Sequence, residues 1–216
     1  MTAYTLLLFM NAFKVKFIEG NAGFMSLVSL ALVLGLAFCI ERIVFLTLSE
    51  INARKLMKDV EGKLKSNDVE GAKTLCRDTR GPVASICYQA LMHINDKMED
   101  IQRSVENYGA VQTSALEKGC SWIKLFIVMA PSLGFLGTVI GMVMAFDNIE
   151  IAGDISPTIV ASGMKVALIT TIFGIIVAII LQCFYNYILS RIEQLTSQME
   201  ESFITLMDII AEWKRK

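Results

Sequence analysis

Three threonine hydroxyls lie inside long apolar stretches of this 216-residue sequence. Thr138 stands in "LGFLGTVIGMVMAF" (133–146), and Thr170 and Thr171 stand in "ALITTIFG" (167–174). A hydroxyl both donates and accepts hydrogen bonds, so threonines paired at one depth offer groups that a partner, water or a moving proton can use. A lone threonine can equally bond to the carbonyl one turn back in its own helix. The sequence alone does not decide between these two interpretations.

Small residues share one face with these threonines. At about 100° per residue, the first stretch gathers glycines and alanines around Thr138, and the second gathers them around Thr170 and Thr171. The members of the two stripes are Ala130, Gly134, Gly137, Gly141 and Ala145, and Gly163, Ala167, Gly174 and Ala178. Small residues let helix backbones approach closely in lipid. The stripes therefore predict close packing, within the chain or between subunits, or the lining of a polar path.

Neither stretch carries a carboxylate. Residues 119–146 and 156–191 contain no Asp or Glu. A proton path through lipid needs a titratable group or a water wire, and intramembrane carboxylates are the usual relay. If protons pass here, a partner must supply the acid. Lys165 is no simple substitute, because it is predicted on the other side of its helix, near the outer end, with its ammonium reaching the headgroups.

The composition indicates that the chain is a membrane protein. Hydrophobic residues make up 54% of the chain, and residues 22–40, 125–146 and 166–190 are uncharged. Each run is long enough to cross a hydrocarbon core about 30 Å thick. We predict an all-α integral membrane protein with three transmembrane helices, which extend into long cytoplasmic helices, and a short N-terminal amphipathic helix.

The predicted organisation follows from these runs. Residues 4–18 favour an interfacial helix with Leu6, Leu7, Met10 and Phe17 on its apolar side, although a frayed end is the alternative. The segments are an N-terminal interfacial segment (1–21), span one (22–40), a cytoplasmic helical region (41–121), span two (122–146), a periplasmic loop (147–157), span three (158–190) and a C-terminal cytoplasmic helix (191–216).

The charge distribution predicts the orientation. Residues 41–121 hold 12 of the 20 lysines and arginines, whereas the loop after span two holds none and is acidic. The positive-inside rule then places the N-terminus outside and the C-terminus in the cytoplasm. The five cysteines form no CxxC pair and the single histidine, His93, has no cluster of possible ligands around it. We therefore predict no metal site and no cofactor, and the absence of nucleotide-binding, catalytic or basic-aromatic motifs argues against an enzyme or a nucleic-acid-binding protein.

Helical periodicity organises the cytoplasmic segments. Span one is predicted to run on to about residue 65, before Asn67 caps a short helix over 68–79 with Glu70 three residues later. A long helix leading directly into span two is then predicted from a heptad pattern, and the tail repeats the pattern. The seams are Cys87, Leu91, Ile94, Met98, Ile101, Val105 and Tyr108, and Ile192, Leu195, Met199, Leu206 and Trp213. They can pack within one chain or also between subunits.

The two spans resemble a known paired signature. "APSLGFLGTVIGMVMAF" followed by "GMKVALITTIFGIIVAIILQCFYN" is similar to the MotA/TolQ/ExbB proton-channel family, and the "ER" after span one and "DVEGAKTLC" resemble ExbB in particular. Three spans favour the ExbB/TolQ branch over MotA-type stators. Where the family often carries a glutamate just before "AL", this chain has Lys165 and Val166.

The resemblance implies a homo-oligomer, a pentamer, whose pore is lined by spans two and three. Two single-span ExbD-like subunits would sit inside it and supply a membrane aspartate. Proton flow would energise a TonB-like protein at the bacterial inner membrane for outer-membrane transport. Thr138 and Thr171 match the family's pore threonines, and Thr170 neighbours them. The alternatives are a TolQ-type subunit for envelope maintenance and a membrane scaffold whose stripes only pack helices.

Overall fold

The computed structural model of the chain describes residues 22–153 and 157–215, and these residues are helical, without strands. The predicted interfacial helix therefore lies outside the described residues. The helices are α1 (Ala22–Ser49), α2 (Ala53–Lys65), α3 (Val69–Asp78), α4 (Pro82–Met92), α5 (Met98–Glu117), α6 (Cys120–Ala152) and α7 (Pro157–Lys214).

Three helical stretches are long and apolar enough to cross a membrane. They lie within Gly23–Lys65, Met98–Ile151 and Val160–Lys214. The prediction of an all-α membrane protein with three spans is confirmed by the length and composition of these helices. Span three and the tail form one helix of 58 residues, α7, with no break between them.

The residues divide into two compact units. The first comprises the chain up to Ile40 together with Cys120–Asn186, and it contains the apolar parts of α1, α6 and α7. The second comprises Glu41–Gly119 and Tyr187–Lys216, and it contains the end of α1, helices α2 to α5 and the C-terminal part of α7.

Aromatic and glycine contacts join α1 to the other two helices of the first unit. The ring of Phe38 stacks on Trp122 and on Phe126, each with centroids 6.1 Å apart. At Gly35 a Cβ atom would lie 2.6 Å from Leu181 Cδ1. The absence of a side chain at Gly35 therefore lets α1 approach α7 closely.

A break separates α1 from α2, so the predicted continuous helix from span one to about residue 65 is wrong. α1 ends at Ser49, and the Asn52 side chain caps α2 by accepting a bond from Lys55 N at 3.1 Å. The Ser49 carbonyl lies against Gly81, where a Cβ would come within 2.6 Å of that oxygen. The end of α1 thus packs on the turn before α4, a contact that no local pattern encodes.

The cap of α3 is Asp68 and not the predicted Asn67. Asp68 Oδ1 accepts a bond from Gly71 N at 2.8 Å, and Oδ2 pairs with Lys63 Nζ at 3.0 Å. Gly71 is needed there, because a Cβ would collide with the Asp68 carboxylate. Asn67 has φ +60 and instead accepts a bond from Trp213 Nε1 at 3.1 Å. The left-handed turn at Asn67 shifts the capping position by one residue.

The predicted long helix from the heptad region into span two is also broken, at two places. Residues 93–97 separate α4 from α5, and His93 Nδ1 and Asp96 Oδ2 are 2.8 Å apart in that turn. Gly119, with φ +88, separates α5 from α6. Arg42, which is buried and paired with Glu41 through two bonds of 2.7 and 2.6 Å, lies against Gly119. The left-handed backbone there favours glycine.

The apolar seams nevertheless form the core of the second unit. Most of their members are buried, whereas Met98, Tyr108 and Trp213 remain partly exposed. The buried ones are Cys87, Leu91, Ile94, Ile101, Val105, Ile192, Leu195, Met199 and Leu206. These residues pack within one chain, although parts of the surface of α5 and α7 stay open.

The helix of span two is longer than predicted. α6 continues to Ala152, so it takes in residues 147–152 that were assigned to the loop of 147–157. Gly153 follows with φ +67, and α7 begins at Pro157. Polar residues such as Asp147 and Glu150 do not end a helix by themselves, because glycine and proline are the stronger breakers.

Candidate ion-pathway site

The backbones of α6 and α7 come into contact along the two predicted small-residue stripes. At Gly174 a Cβ atom would lie 2.6 Å from Ala130 O and 3.2 Å from Gly134 Cα. At Gly134 it would lie 2.8 Å from Thr170 O and 3.1 Å from Thr171 Cα. Both obstacles are backbone atoms, so only glycine permits this separation of the helices.

The contact continues toward the other end of the two helices. A Cβ at Gly141 would lie 3.2 Å from Ala167 Cβ, and a Cβ at Gly163 would overlap Ala145 Cβ. Ala130, Ala145 and Ala167 are themselves buried. The stripes therefore pack against each other within one chain, which is one of the arrangements that the sequence left open.

Two members of the stripes have different surroundings. Gly137 also meets α1, because a Cβ there would lie 3.2 Å from Phe24 Cγ as well as 2.9 Å from Thr170 Oγ1. Phe24 could not be predicted as part of this contact, because nothing in the pattern of α1 indicates which helix Phe24 faces. Ala178, further along α7, is only partly buried and lies beyond Gly174, the last glycine of the contact.

The three predicted hydroxyls meet at this helix contact. Thr138 Oγ1 and Thr171 Oγ1 are directly hydrogen-bonded to each other across the two helices. Thr138 Oγ1 is also 3.0 Å from Ala167 O on α7 and 3.2 Å from Gly134 O one turn back. Thr171 Oγ1 reaches Gly134 O on α6 at 3.3 Å. The hydroxyls thus bond between helices as well as within them.

The hydroxyl pair can be hydrogen-bonded in two directions. Each hydroxyl donates once, so either Thr138 donates to Thr171 and Thr171 donates to Gly134 O, or Thr171 donates to Thr138 and Thr138 donates to Ala167 O or Gly134 O. Moving from one arrangement to the other reverses the direction of these hydrogen bonds. Both O–H groups are used in either arrangement, so a group placed beside the pair can donate to it, or can accept from it when a hydroxyl leaves its carbonyl.

Thr170 differs from the other two in accessibility. It is fully buried, and its hydroxyl donates to Ala167 O at 2.7 Å with Gly134 O at 3.3 Å. Thr138 and Thr171 are only partly buried in the single chain. The pair therefore keeps an accessible side, whereas Thr170 packs beneath it and satisfies itself within the helix contact.

A proline lies where the two backbones are closest. Pro131, inside α6, has its Cα 3.2 Å from the position of a Cβ at Gly174. Proline removes one helical hydrogen bond, and such a break is tolerated in a membrane helix where a neighbouring helix packs against it. The backbone hydrogen bond that Pro131 cannot make is therefore missing from α6 where Gly174 of α7 packs against it.

Ionisable groups are scarce around the cluster. No carboxylate occurs in residues 119–146 or 156–191. Lys165 on α7 is exposed. Within residues 22–153 and 157–215 no group of three His, Cys, Asp or Glu side chains could hold a metal ion. The described site can therefore offer hydroxyls and carbonyls, but no acid of its own.

Wide apolar surfaces surround the site in the single chain. On α6, Phe135 is 66% exposed and Val143 is 52% exposed, and on α7 Leu168 is 56% exposed. A monomeric soluble protein rarely exposes such contiguous apolar area. These faces fit contact with lipid or with other subunits.

Comparison with known proteins finds relatives that share the name of an ExbB-type biopolymer transport protein. Over 167 residues the chain is 30% identical to the putative biopolymer transport protein ExbB homolog of Methanothermobacter thermautotrophicus, which covers 77% of this chain and 59% of the relative. It is 25% identical over 155 residues to the putative biopolymer transport protein ExbB-like 3 of Synechocystis, which covers 71% of this chain and 74% of the relative.

A bacterial transport protein also matches part of the chain. The biopolymer transport protein exbB1 of Vibrio cholerae is 35% identical over 69 residues, which covers 32% of this chain and 30% of that protein. The family model of the MotA/TolQ/ExbB proton channel family matches residues 78–201, more than half of the sequence and the whole of the hydroxyl cluster. Together with the helix contact that holds the threonines, this match shows that the chain belongs to the MotA/TolQ/ExbB proton channel family.

Proposed function

We propose that this chain is the multi-span, pore-forming subunit of a proton-driven motor of the ExbB type in the bacterial inner membrane. It works as a ring, a pentamer, around two single-span ExbD-like subunits. Proton flow through the ring energises a TonB-like protein for outer-membrane transport. The N-terminus lies in the periplasm and the C-terminus in the cytoplasm.

One observation carries this proposal: two threonine hydroxyls bond to each other between α6 and α7, in stretches of these helices (residues 119–146 and 156–191) that contain no carboxylate. A threonine does not store a proton near neutral pH, but its hydroxyl can pass on or orient one. The acid must come from another chain, and a membrane aspartate of a single-span partner is the simplest source. The names of the relatives described above support the transport role.

The three hydroxyls have different roles in this proposal. Thr138 and Thr171, which keep an accessible side, face the pore and exchange hydrogen bonds with the partner's carboxyl or with water. Thr170 is buried and positions the Gly134 and Ala167 carbonyls on which the pair depends. The small residues of both stripes hold the helices close enough for the pair to form.

Proton flux in liposomes tests this function. The chain alone should conduct poorly, and co-reconstitution with a single-span partner that carries a membrane aspartate should switch conduction on. In the Thr138→Val, Thr171→Val double variant, partner-dependent flux should be lost, because valine keeps the shape and removes the hydroxyl. The Thr→Ser variants should retain much of it.

A matched control separates this effect from a general effect of valine. In the part of the chain that the structure describes, the Thr47 hydroxyl on α1 bonds only to Ile43 O of its own helix, at 2.8 Å. Thr47→Val should leave the flux unchanged. Full flux in the Thr138→Val, Thr171→Val variant, with the partner bound, would contradict the proposal.

The glycine contacts also favour a second candidate, a membrane scaffold. Gly134 and Gly174 pack against the backbone of the facing helix within one chain. Such packing is expected if the small-residue stripes are purely structural. A scaffold should hold its partner with equal strength in the valine variants and conduct no protons. A TolQ-type role in envelope maintenance shares the same site, and the ExbB names of the relatives favour the transport role over it.

A further inference from the structure

The second unit has two flanks of opposite charge. Its main contacts run in chain order, with α2 on α3, α3 on α4 and α4 on α5, and a smaller contact joins α2 to α4, so α2 and α5 stand at the two ends of this series. α2 carries five cations and two carboxylates, whereas α5 carries four carboxylates and one cation, Arg103. The net charges of the two end helices are therefore +3 and −3.

The cations of α2 that have no ion-pair partner within the described residues form one surface, which we call the basic edge. It consists of Arg54, Lys55 and Lys58, all exposed. The other two lysines of α2 are already paired within the chain, Lys63 with Asp68 at 3.0 Å and Lys65 with Glu61 at 2.5 Å. The basic edge therefore has charge available for another molecule.

An open groove lies at the opposite flank, between α5 and the C-terminal part of α7. It has a volume of about 540 Å³ and its floor is apolar, while carboxylates stand at its rim. We call it the acidic groove, with the floor residues Ile86, Val105, Met199 and Phe203 and the rim residues Glu106, Glu117 and Glu200. At Gly109, between floor and rim, a Cβ would meet only Ile86 Cδ1, at 3.9 Å, so the groove is open there.

The rim carboxylates have no neutralising partner among the described residues. None of the three forms an ion pair in the part of the chain that the structure describes, and Glu106 accepts only a neutral bond from Gln102 Nε2 at 2.8 Å. An apolar floor beneath three carboxylates fits an occupant with long aliphatic stems and cationic ends, and arginine and lysine side chains have that form.

We propose that the acidic groove of one copy receives the basic edge of a neighbouring copy. The two surfaces lie at opposite flanks of one unit, so each copy offers the basic edge to one neighbour and the groove to the other. A contact of this head-to-tail kind forms a closed ring when the rotation from copy to copy closes, as the proposed pentamer requires. The rim pairs set partner choice and register, and the stems of Arg54 and Lys58 cover the apolar floor. This contact rests on the proposed ring and adds how its subunits join outside the membrane.

A charge-swap experiment on the full chain tests this contact by native mass spectrometry at low salt. Arg54→Glu with Lys58→Glu should raise the protein concentration at which the ring dissociates by about tenfold, since like charges facing each other oppose association. Glu106→Lys with Glu200→Lys should do the same. The combination of all four should return that concentration to within about threefold of the wild type.

A matched control and a second measurement guard against misfolding. Arg77→Glu with Arg80→Glu makes the same charge change on α3 and the turn after it, at residues that belong to neither surface, and should leave the ring intact. In a Cys183→Ser background, Lys58→Cys combined with Glu106→Cys should give disulfide-linked dimers and higher multiples on oxidation. A ladder of that kind requires contact between copies.

The outcomes separate this contact from the function proposed above. The docking of the basic edge into the acidic groove is refuted by either of two results. In the first, both double variants weaken the ring and the variant with all four substitutions does not restore it. In the second, neither double variant weakens the ring. Proton flux can still be normal in that case. A chain that forms no oligomer at all refutes the contact and the proposed ring together.

Discussion

Gly174 is the residue at which the packing of α6 on α7 is most sharply testable. In Gly174→Ala the new methyl would lie 2.6 Å from Ala130 O, whereas 3.4 Å is an ordinary contact, so the atoms are 0.8 Å too close. The obstacle is backbone on both sides, since Pro131 Cα and Gly134 Cα lie at 3.2 Å. No side chain can turn away, and the helices must separate.

Overpacking of a tight interior costs about 1–3 kcal/mol. At about 2–4 °C per kcal/mol for a chain of this size, Gly174→Ala should lower the midpoint of thermal unfolding in detergent by about 2–12 °C. Gly141→Ala should cost less, because its new methyl would meet Ala167 Cβ at 3.2 Å, where a small shift relieves the contact. Gly141→Leu adds far more volume at the same place and should disrupt the packing and the oligomer.

Gly62 supplies the matched control. It lies inside α2 and a Cβ there would meet nothing within 4 Å, so Gly62→Ala should stabilise by about 0.5–1 kcal/mol. The expected order of midpoints is Gly62→Ala above the wild type, then Gly141→Ala, then Gly174→Ala. Equal midpoints for the Gly62 and Gly174 variants would refute the close contact between α6 and α7.

Three further predictions concern orientation and local structure. A cysteine at Asn148 should be labelled by an impermeant thiol reagent from outside the cell and one at Ser66 should not; labelling of both from one side would overturn the three-span orientation. The Lys63 ammonium beside Asp68, with the Gly71 N–H, lowers the pKa of that carboxyl below its ordinary 3.8. A lowered pKa stabilises the folded chain above that value, so the stability advantage of the wild type over Asp68→Asn should shrink as pH falls below 3.8 in acid titrations of thermal unfolding. Gly119→Ala should lower the unfolding midpoint, because an L side chain is strained at φ +88; an unchanged midpoint would contradict that backbone conformation.

The hydroxyl cluster shows how much of the candidate site could be predicted from the sequence. Helical spacing places Thr138 among the small residues of one span and Thr171 among those of the next, and both near mid-depth. The structure brings the two hydroxyls together. Which helix each stripe faces was left open, because a stripe of small residues fits any neighbour that has a matching one.

The helices of the second unit show where prediction from local sequence pattern fails. The apolar seams were predicted and most of their members are buried, because burial follows the period of the helix. The breaks were not predicted. Gly119 separates α5 from α6 with a left-handed backbone against which Arg42 lies, and the end of α1 lies against Gly81, so each of these two breaks involves a contact with a residue distant in sequence.

The sequence by itself determined the class of protein, the three apolar spans and the residue types at the site. These follow from hydrophobicity and periodicity, which are local properties of the chain. Only the tertiary structure decided that the stripes pack within one chain, that Thr138 and Thr171 share a hydrogen bond and that Asp68 caps α3. Each of these depends on where a second segment or an irregular turn places its backbone atoms, and residue spacing along one helix carries no record of that position.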